Sequence, residues 1–108
     1  MSHVIDSRRS EIDALCRQFG VLRLDVFGSA ATDAFDPERS DIDFVVDFAD
    51  PDSADMFERY FGLKEGFEAL FGRSVDLVMA RAMRNPYFIE SVNRSRRPVY
   101  AAQVGQAA

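Results

Sequence analysis

Asp41 and Asp43 stand two residues apart in the run Asp41-Ile42-Asp43-Phe44-Val45-Val46-Asp47-Phe48. On a strand, side chains at i and i+2 leave on the same side, with Cα atoms about 6.5–7 Å apart. Two carboxylates leaning toward one point can hold a hard divalent cation; without one they repel, and partial burial raises at least one pKa. Asp76, in Ser74-Val75-Asp76-Leu77-Val78, is a further carboxylate on the non-core side of another strand-like run. If the two strands are neighbours, three carboxylates converge. A set of carboxylates without His or Cys favours Mg2+ or Mn2+ over zinc, and Mg2+ completes its shell with water and substrate phosphates. Taken alone, an Asp-x-Asp pair is more often the mark of an acidic sheet edge that keeps a protein soluble.

Gly28-Ser29 is the second feature with chemical content. A glycine directly after a strand lets backbone approach a ligand closely, and Ser29 is expected to open a helix. Helix-start N–H groups with a hydroxyl make an anion site suited to phosphate. The plain alternative is a tight strand-to-helix turn with Ser29 as its cap. A phosphate cradle beside a cation cradle is the layout for a nucleoside triphosphate with Mg2+.

These residues need elements to hold them. Ile12, Leu15, Cys16 and Phe19 fall at helical spacing before Gly20, which predicts a helix over about residues 7–19. Leu22, Leu24 and Val26 alternate with Arg23 and Asp25, the periodicity of a strand with a polar side. Ile42, Phe44, Val46 and Phe48 alternate still more clearly, placing Asp41, Asp43, Val45 and Asp47 on the other face. A one-residue slip would bury the carboxylates, so the register is strongly specified. Pro51-Asp52-Ser53 ends that strand and is expected to cap a helix carrying Met56, Tyr60, Leu63, Phe67, Leu70 and Phe71, with Gly62 and Gly66 as possible interruptions. Val75, Leu77 and Met79 mark another strand. Asn85-Pro86 starts a helix with Ile89 and Val92 on its apolar side, and Pro98–Ala101 reads as a short last strand. The order α-β-(short α)-β-α-β-α-β predicts an α/β (α+β) fold, a small mixed sheet flanked by helices.

The 108 residues suit one domain spanning 1–108, and 47% hydrophobic content supplies a core. No apolar run approaches the roughly 20 residues of a membrane span, and no signal-peptide pattern opens the chain, so a cytoplasmic protein without membrane contact is expected. One cysteine, Cys16, excludes an internal disulfide and multi-thiolate metal sites, and reads as a small buried hydrophobe. The only histidine, His3, lies in a terminus expected to be mobile. A net charge of −5 argues against direct nucleic-acid binding. The charge is uneven: ten acids and Arg39 lie between Asp33 and Glu58, and five arginines with Glu90 between Arg81 and Arg97. The second stretch could meet an acidic partner or an anion, or be ordinary helix-end solvation.

Val26-Phe27-Gly28-Ser29, eleven residues, Asp41-Ile42-Asp43 and then Asp76 together resemble the signature of the DNA polymerase β-like nucleotidyltransferases. The compact size resembles the minimal nucleotidyltransferases, the MNT antitoxins that pair with HEPT-domain toxins. The resemblance implies that Asp41, Asp43 and Asp76 are catalytic and hold two Mg2+ ions, with Mn2+ an alternative, while Gly28 and Ser29 bind the nucleotide. It implies transfer of a nucleoside monophosphate, AMP from ATP, to a hydroxyl acceptor, a tyrosine of a HEPT-type toxin. A non-catalytic antitoxin that masks its partner, transfer to a small molecule, and a homo-oligomer stay open. Many members carry Arg or an aromatic residue after the Gly-Ser, where this chain has Ala30, and Arg-Gly soon after, where it has Ala31-Thr32-Asp33. Arg39, Arg81 and Arg84 are the candidate substitutes for that phosphate clamp.

Overall fold

The computed structural model describes residues 3–32 and 41–102. Along them run α1 (His3–Asp6), α2 (Arg9–Gln18), β1 (Val21–Phe27), β2 (Ile42–Phe48), α3 (Met56–Phe71), β3 (Val75–Met79), α4 (Pro86–Ser95) and β4 (Arg97–Ala101), with 3₁₀ turns at Gly28–Ala31 and Ala80–Ala82. This is the mixed α/β order that the apolar periodicity predicts. The strands form one sheet in the order β3-β2-β1-β4. β1 is antiparallel to both β2 and β4, whereas β2 and β3 are parallel. A parallel pair requires a long crossover, and α3 supplies it.

The alternation in β2 buries Ile42, Phe44, Val46 and Phe48 together. They meet Ile5, Ile12, Cys16, Leu63 and Phe67 from the helices on that face, and the Phe44 and Phe67 rings lie 4.8 Å apart. Cys16 is buried, and desolvation first, then the charge of Asp13, pushes its thiol up to about 12, so it is the inert hydrophobe expected. The other face is not left to solvent. Val45, Phe27 and Val92 form a second apolar cluster beneath α4, so Val45 is buried where an open polar face is expected. α4 itself starts as Asn85-Pro86 predicts: the Asn85 side chain accepts from the N–H groups of Tyr87 and Phe88.

Other expectations are corrected by packing. The helix expected over 7–19 is α2, and a short, unexpected α1 precedes it, anchored because Ile5 is fully buried. The segment carrying His3 is therefore a helix tied to the core by its third residue. α3 runs unbroken through Gly62 and Gly66, where a Cβ would lie 2.5 Å from the Phe19 ring and 2.8 Å from Leu15 Cδ2. The glycines let α2 approach α3. Pro51-Asp52-Ser53 does not cap α3: Asp55 occupies the cap position without a side-chain cap bond, and Ser53 Oγ donates to Asp55 Oδ1 instead. The junction is secured by Arg59, which donates to the carbonyls of Phe19, Gly20 and Ala49 at 2.9, 2.7 and 2.7 Å.

In β1 the pairing skips from Val21 to Arg23, leaving Leu22 as an irregularity. Val21 is thereby buried and Leu22 only half-buried. Asp25, expected on a polar side, is 1% exposed. Its carboxylate accepts from Arg96 Nε at 2.8 Å and from Arg23 at 3.3 Å, the pairing that a buried charge requires. Among the described residues no helix is long and apolar enough to cross a membrane.

Candidate active site

Asp43 stands directly opposite Asp76 in the parallel β2–β3 register, and opposite Phe27 in the antiparallel β1–β2 register. Neighbouring strands lie about 4.8 Å apart, so registered carboxylates on one face cannot avoid each other. The consequence is visible at Asp43, whose carboxyl is pushed up from 3.8 to about 6. Burial is the first cause; a hydrogen bond with Asp76 and the charges of Asp76 and Asp41 add to it. The pair therefore keeps a proton well above the usual carboxylate range, or takes a cation in its place.

Gly28 backs this pair. Its φ is +72°, and a Cβ built on it would sit 2.6 Å from Asp43 Oδ2. Glycine is required there both for the left-handed backbone and for the carboxylate behind it. The Gly28 N–H donates to Ser95 Oγ at 2.8 Å, which fixes the turn to the end of α4. Ser29 follows, half-buried, in a single 3₁₀ turn rather than the expected helix, and its carbonyl accepts from the Thr32 N–H at 3.1 Å. The Gly28 N–H is thus engaged, and a single 3₁₀ turn stands where a longer helix start is expected.

The third expected carboxylate is placed differently. Asp41 is exposed and precedes β2, whose first N–H, that of Ile42, bonds to the Ser74 carbonyl. Lying outside the ladder, Asp41 is not held against Asp76 and acts on Asp43 through its charge. Among the described residues no three His, Cys, Asp or Glu side chains gather closely enough to hold a metal ion. The expected three-way convergence is thus a registered pair with a charged neighbour.

A cleft of about 420 Å³ opens at the pair. Phe27 and Phe88, packed edge to face at 6.0 Å, form one wall. Tyr60 and Lys64 of α3 form the other, and neither is evident as a site residue from strand motifs. The Tyr60 hydroxyl donates to the Leu77 carbonyl, which ties α3 to β3. Lys64 Nζ lies 3.0 Å from Glu68 Oε2, the same oxygen that accepts the Val75 N–H at 3.1 Å. The bond to Glu68 is the main reason the Lys64 ammonium is held above its ordinary range. The available signal is that Lys64 is the chain's only lysine and lies four residues after Tyr60, on the same helical face.

Among the described residues, Arg81 and Arg84, two of the three arginines considered as phosphate clamps, do not line the cleft. Arg84 donates to the carbonyls of Arg81 and Met83, Arg94 pairs with Glu90 at 3.6 Å, and Arg96 turns inward to Asp25. Arg39 lies outside the described residues. Ala30 and Ala31 are buried in the core, so the position after Gly-Ser has no room here for the Arg common elsewhere.

A family model described as a nucleotidyltransferase domain matches residues 9–99. The protein adenylyltransferase MntA of Thermococcus cleftensis is 38% identical over 71 residues, 66% of this chain and 68% of that protein. A candidate protein adenylyltransferase of Methanocaldococcus jannaschii, MJ0128, is 33% identical over 93 residues, 85% of this chain and 90% of its own. Among solved structures, a candidate minimal nucleotidyltransferase aligns with a TM-score of 0.70 at 32% identity, over 91% of this chain and 99% of that one.

Proposed function

The chain belongs to the nucleotidyltransferase domain family, and from that premise we propose that it moves AMP from ATP to a tyrosine hydroxyl of a partner protein, a HEPT-type toxin that it silences. The observation that carries the reading is the registered Asp43–Asp76 pair with Gly28 packed against it. Kinship with protein adenylyltransferases supports a protein acceptor. The fold is shared with the MNT antitoxin solved in complex with a tri-AMPylated Shewanella oneidensis HEPN toxin, at 20% identity and a TM-score of 0.63 over 92% of this chain and 74% of that one.

The donor set fits a divalent cation: oxygen ligands only, and a carboxyl whose neighbours' negative charge calls for one. Asp43 and Asp76 would hold Mg2+ or Mn2+, with the charge of Asp41 nearby, and the ion would supply neutralisation of the triphosphate and acidification of the acceptor hydroxyl. Ser29 donates its hydroxyl to a phosphate oxygen. Asp76, the exposed member of the pair, takes the acceptor's proton. The acceptor oxygen bonds to the α-phosphorus, the bond from that phosphorus to the bridging oxygen breaks, and pyrophosphate leaves. Orientation and fixed charge do most of the work in such a transfer.

Thermal unfolding with and without Mg-ATP, for the wild type and Asp41→Asn, tests the nucleotide site. Ligand at a hundred times its Kd adds about 2.7 kcal/mol, several degrees for a domain of this size. The expected result is an Mg2+-dependent rise in the wild type that Asp41→Asn loses. No rise at millimolar ATP overturns the reading.

A further inference from the structure

The outward face of α3 carries an anomaly that the reaction leaves unexplained. Phe57 is 71% exposed and Phe61 42% exposed, and their rings lie 4.6 Å apart. Exposed aromatic rings in contact make a contiguous apolar patch of the kind that marks interaction surfaces, and aromatic side chains are enriched among the residues that carry binding energy. The pair adjoins the cleft, because the Phe61 ring meets that of Tyr60 edge-on at 5.0 Å, and Tyr60 lines the cleft. Phe57, Tyr60, Phe61 and Lys64 follow one another at i, i+3, i+4 and i+7, a continuous stripe along one side of α3.

The sheet gives this stripe a direction. Gly28 and Ser29 follow β1, Asp43 lies on β2, and Asp76 lies on β3, the edge strand. Beyond β3 stand Tyr60 and Lys64. With phosphates at the Gly28–Ser29 end and the carboxylates in the middle, the acceptor has the α3 end to enter by. The charge there has one sign. The exposed residues flanking the aromatic pair include Glu58 and Glu65, whereas the two α3 cations are engaged: Arg59 with backbone carbonyls, Lys64 with Glu68.

Resting on the transfer reading above, we infer that the Phe57–Phe61 stripe is where the acceptor protein docks, and that its occupant is a basic segment with an aromatic or apolar side chain beside the tyrosine to be modified. Aromatic contact supplies the affinity, and Glu58 and Glu65 select the charge and steer the encounter.

Random copolymers of Lys with Tyr and of Glu with Tyr, incubated with the full chain, Mg2+ and ATP labelled at the α-phosphate, test this directly. Label should enter the Lys–Tyr polymer about tenfold or more faster than the Glu–Tyr polymer, the discrimination that opposite charge at a contact supports. Phe57→Ser with Phe61→Ser should cut that labelling about tenfold while leaving the Mg-ATP thermal shift intact. Glu58→Lys with Glu65→Lys should reverse the preference. Equal labelling of the two polymers, labelling indifferent to these variants, or no labelling by a protein that shows the Mg-ATP shift overturns the docking surface alone. Loss of the shift and of all transfer in the wild type takes the adenylyl-transfer reading down together with it.

Discussion

At Asp43 the crowding of carboxylates on which the proposed cation site rests works against the fold without a cation. Its carboxyl binds a proton more tightly in the folded chain, at about 6, than its ordinary value of 3.8. Ionising it therefore opposes folding. The stability this group contributes is fully present below about pH 4 and is lost as pH rises through 6. Asn in its place keeps the shape and the hydrogen bond toward Asp76 without the charge. We expect Asp43→Asn, in a chelator, to match the wild type near pH 4 and to be more stable by about 2 kcal/mol at pH 8. Urea midpoints measured from pH 4 to 8 check the sign; a variant less stable than wild type at pH 8 contradicts it. The same substitution should lower nucleotidyl transfer at least about a hundredfold, because it removes charge where the reaction needs it. Stability and activity move in opposite directions at a single carboxylate, which a merely structural residue would not show.

Elements show which parts of this architecture local pattern can convey. β2 is legible because one face meets a core and alternation follows; α4 is legible because Asn85 and Pro86 are local start signals. What escapes is set by partners distant in the chain. Asp25 looks solvated until Arg96, 71 residues on, is seen to hold it. Val45 looks polar-facing until α4 covers it. Asp43 and Asp76 could be named from their strands, but their pairing depends on strand order, and Tyr60 and Lys64 reach the cleft only because α3 is the crossover between the paired strands. The two α3 glycines sharpen the point. Alanine in a helix interior is favoured over glycine by about 1 kcal/mol, yet each site faces α2. At Gly66 the obstructing atom is a Leu15 methyl at 2.8 Å, the far end of a side chain that can turn; at Gly62 it is the Phe19 ring at 2.5 Å. We expect Gly66→Ala to be neutral or mildly stabilising, and Gly62→Ala to cost about 1–2 kcal/mol net, since overpacking there exceeds the helix gain. Thermal unfolding of the two variants side by side decides it: equal behaviour would mean that α2 and α3 are not held as closely as described.

Over the whole molecule the net charge of −5 is unevenly laid out, with ten of eighteen acids between Asp33 and Glu58. Any salt screens such a surface, so stabilisation by added cations is not by itself evidence of a site. The registered pair adds a distinction. Screening acts on all exposed acids alike, whereas a divalent ion that must displace the Asp43 proton binds in competition with protons. At constant ionic strength, exchanging NaCl for MgCl2 should therefore raise the wild-type melting temperature at pH 8, by about 1.4 kcal/mol or some 5 °C at ten times the Kd. The rise should shrink toward pH 5, below the Asp43 value of about 6, and should be absent in Asp43→Asn at every pH. A rise of the same size in that variant would assign the effect to general screening by the acidic surface and leave the pair without a metal of its own. A rise confined to the wild type and to the pH range where Asp43 is ionised ties the ion to this carboxylate, because among the described residues no other acid shares both the register with Asp76 and the contact behind it with Gly28.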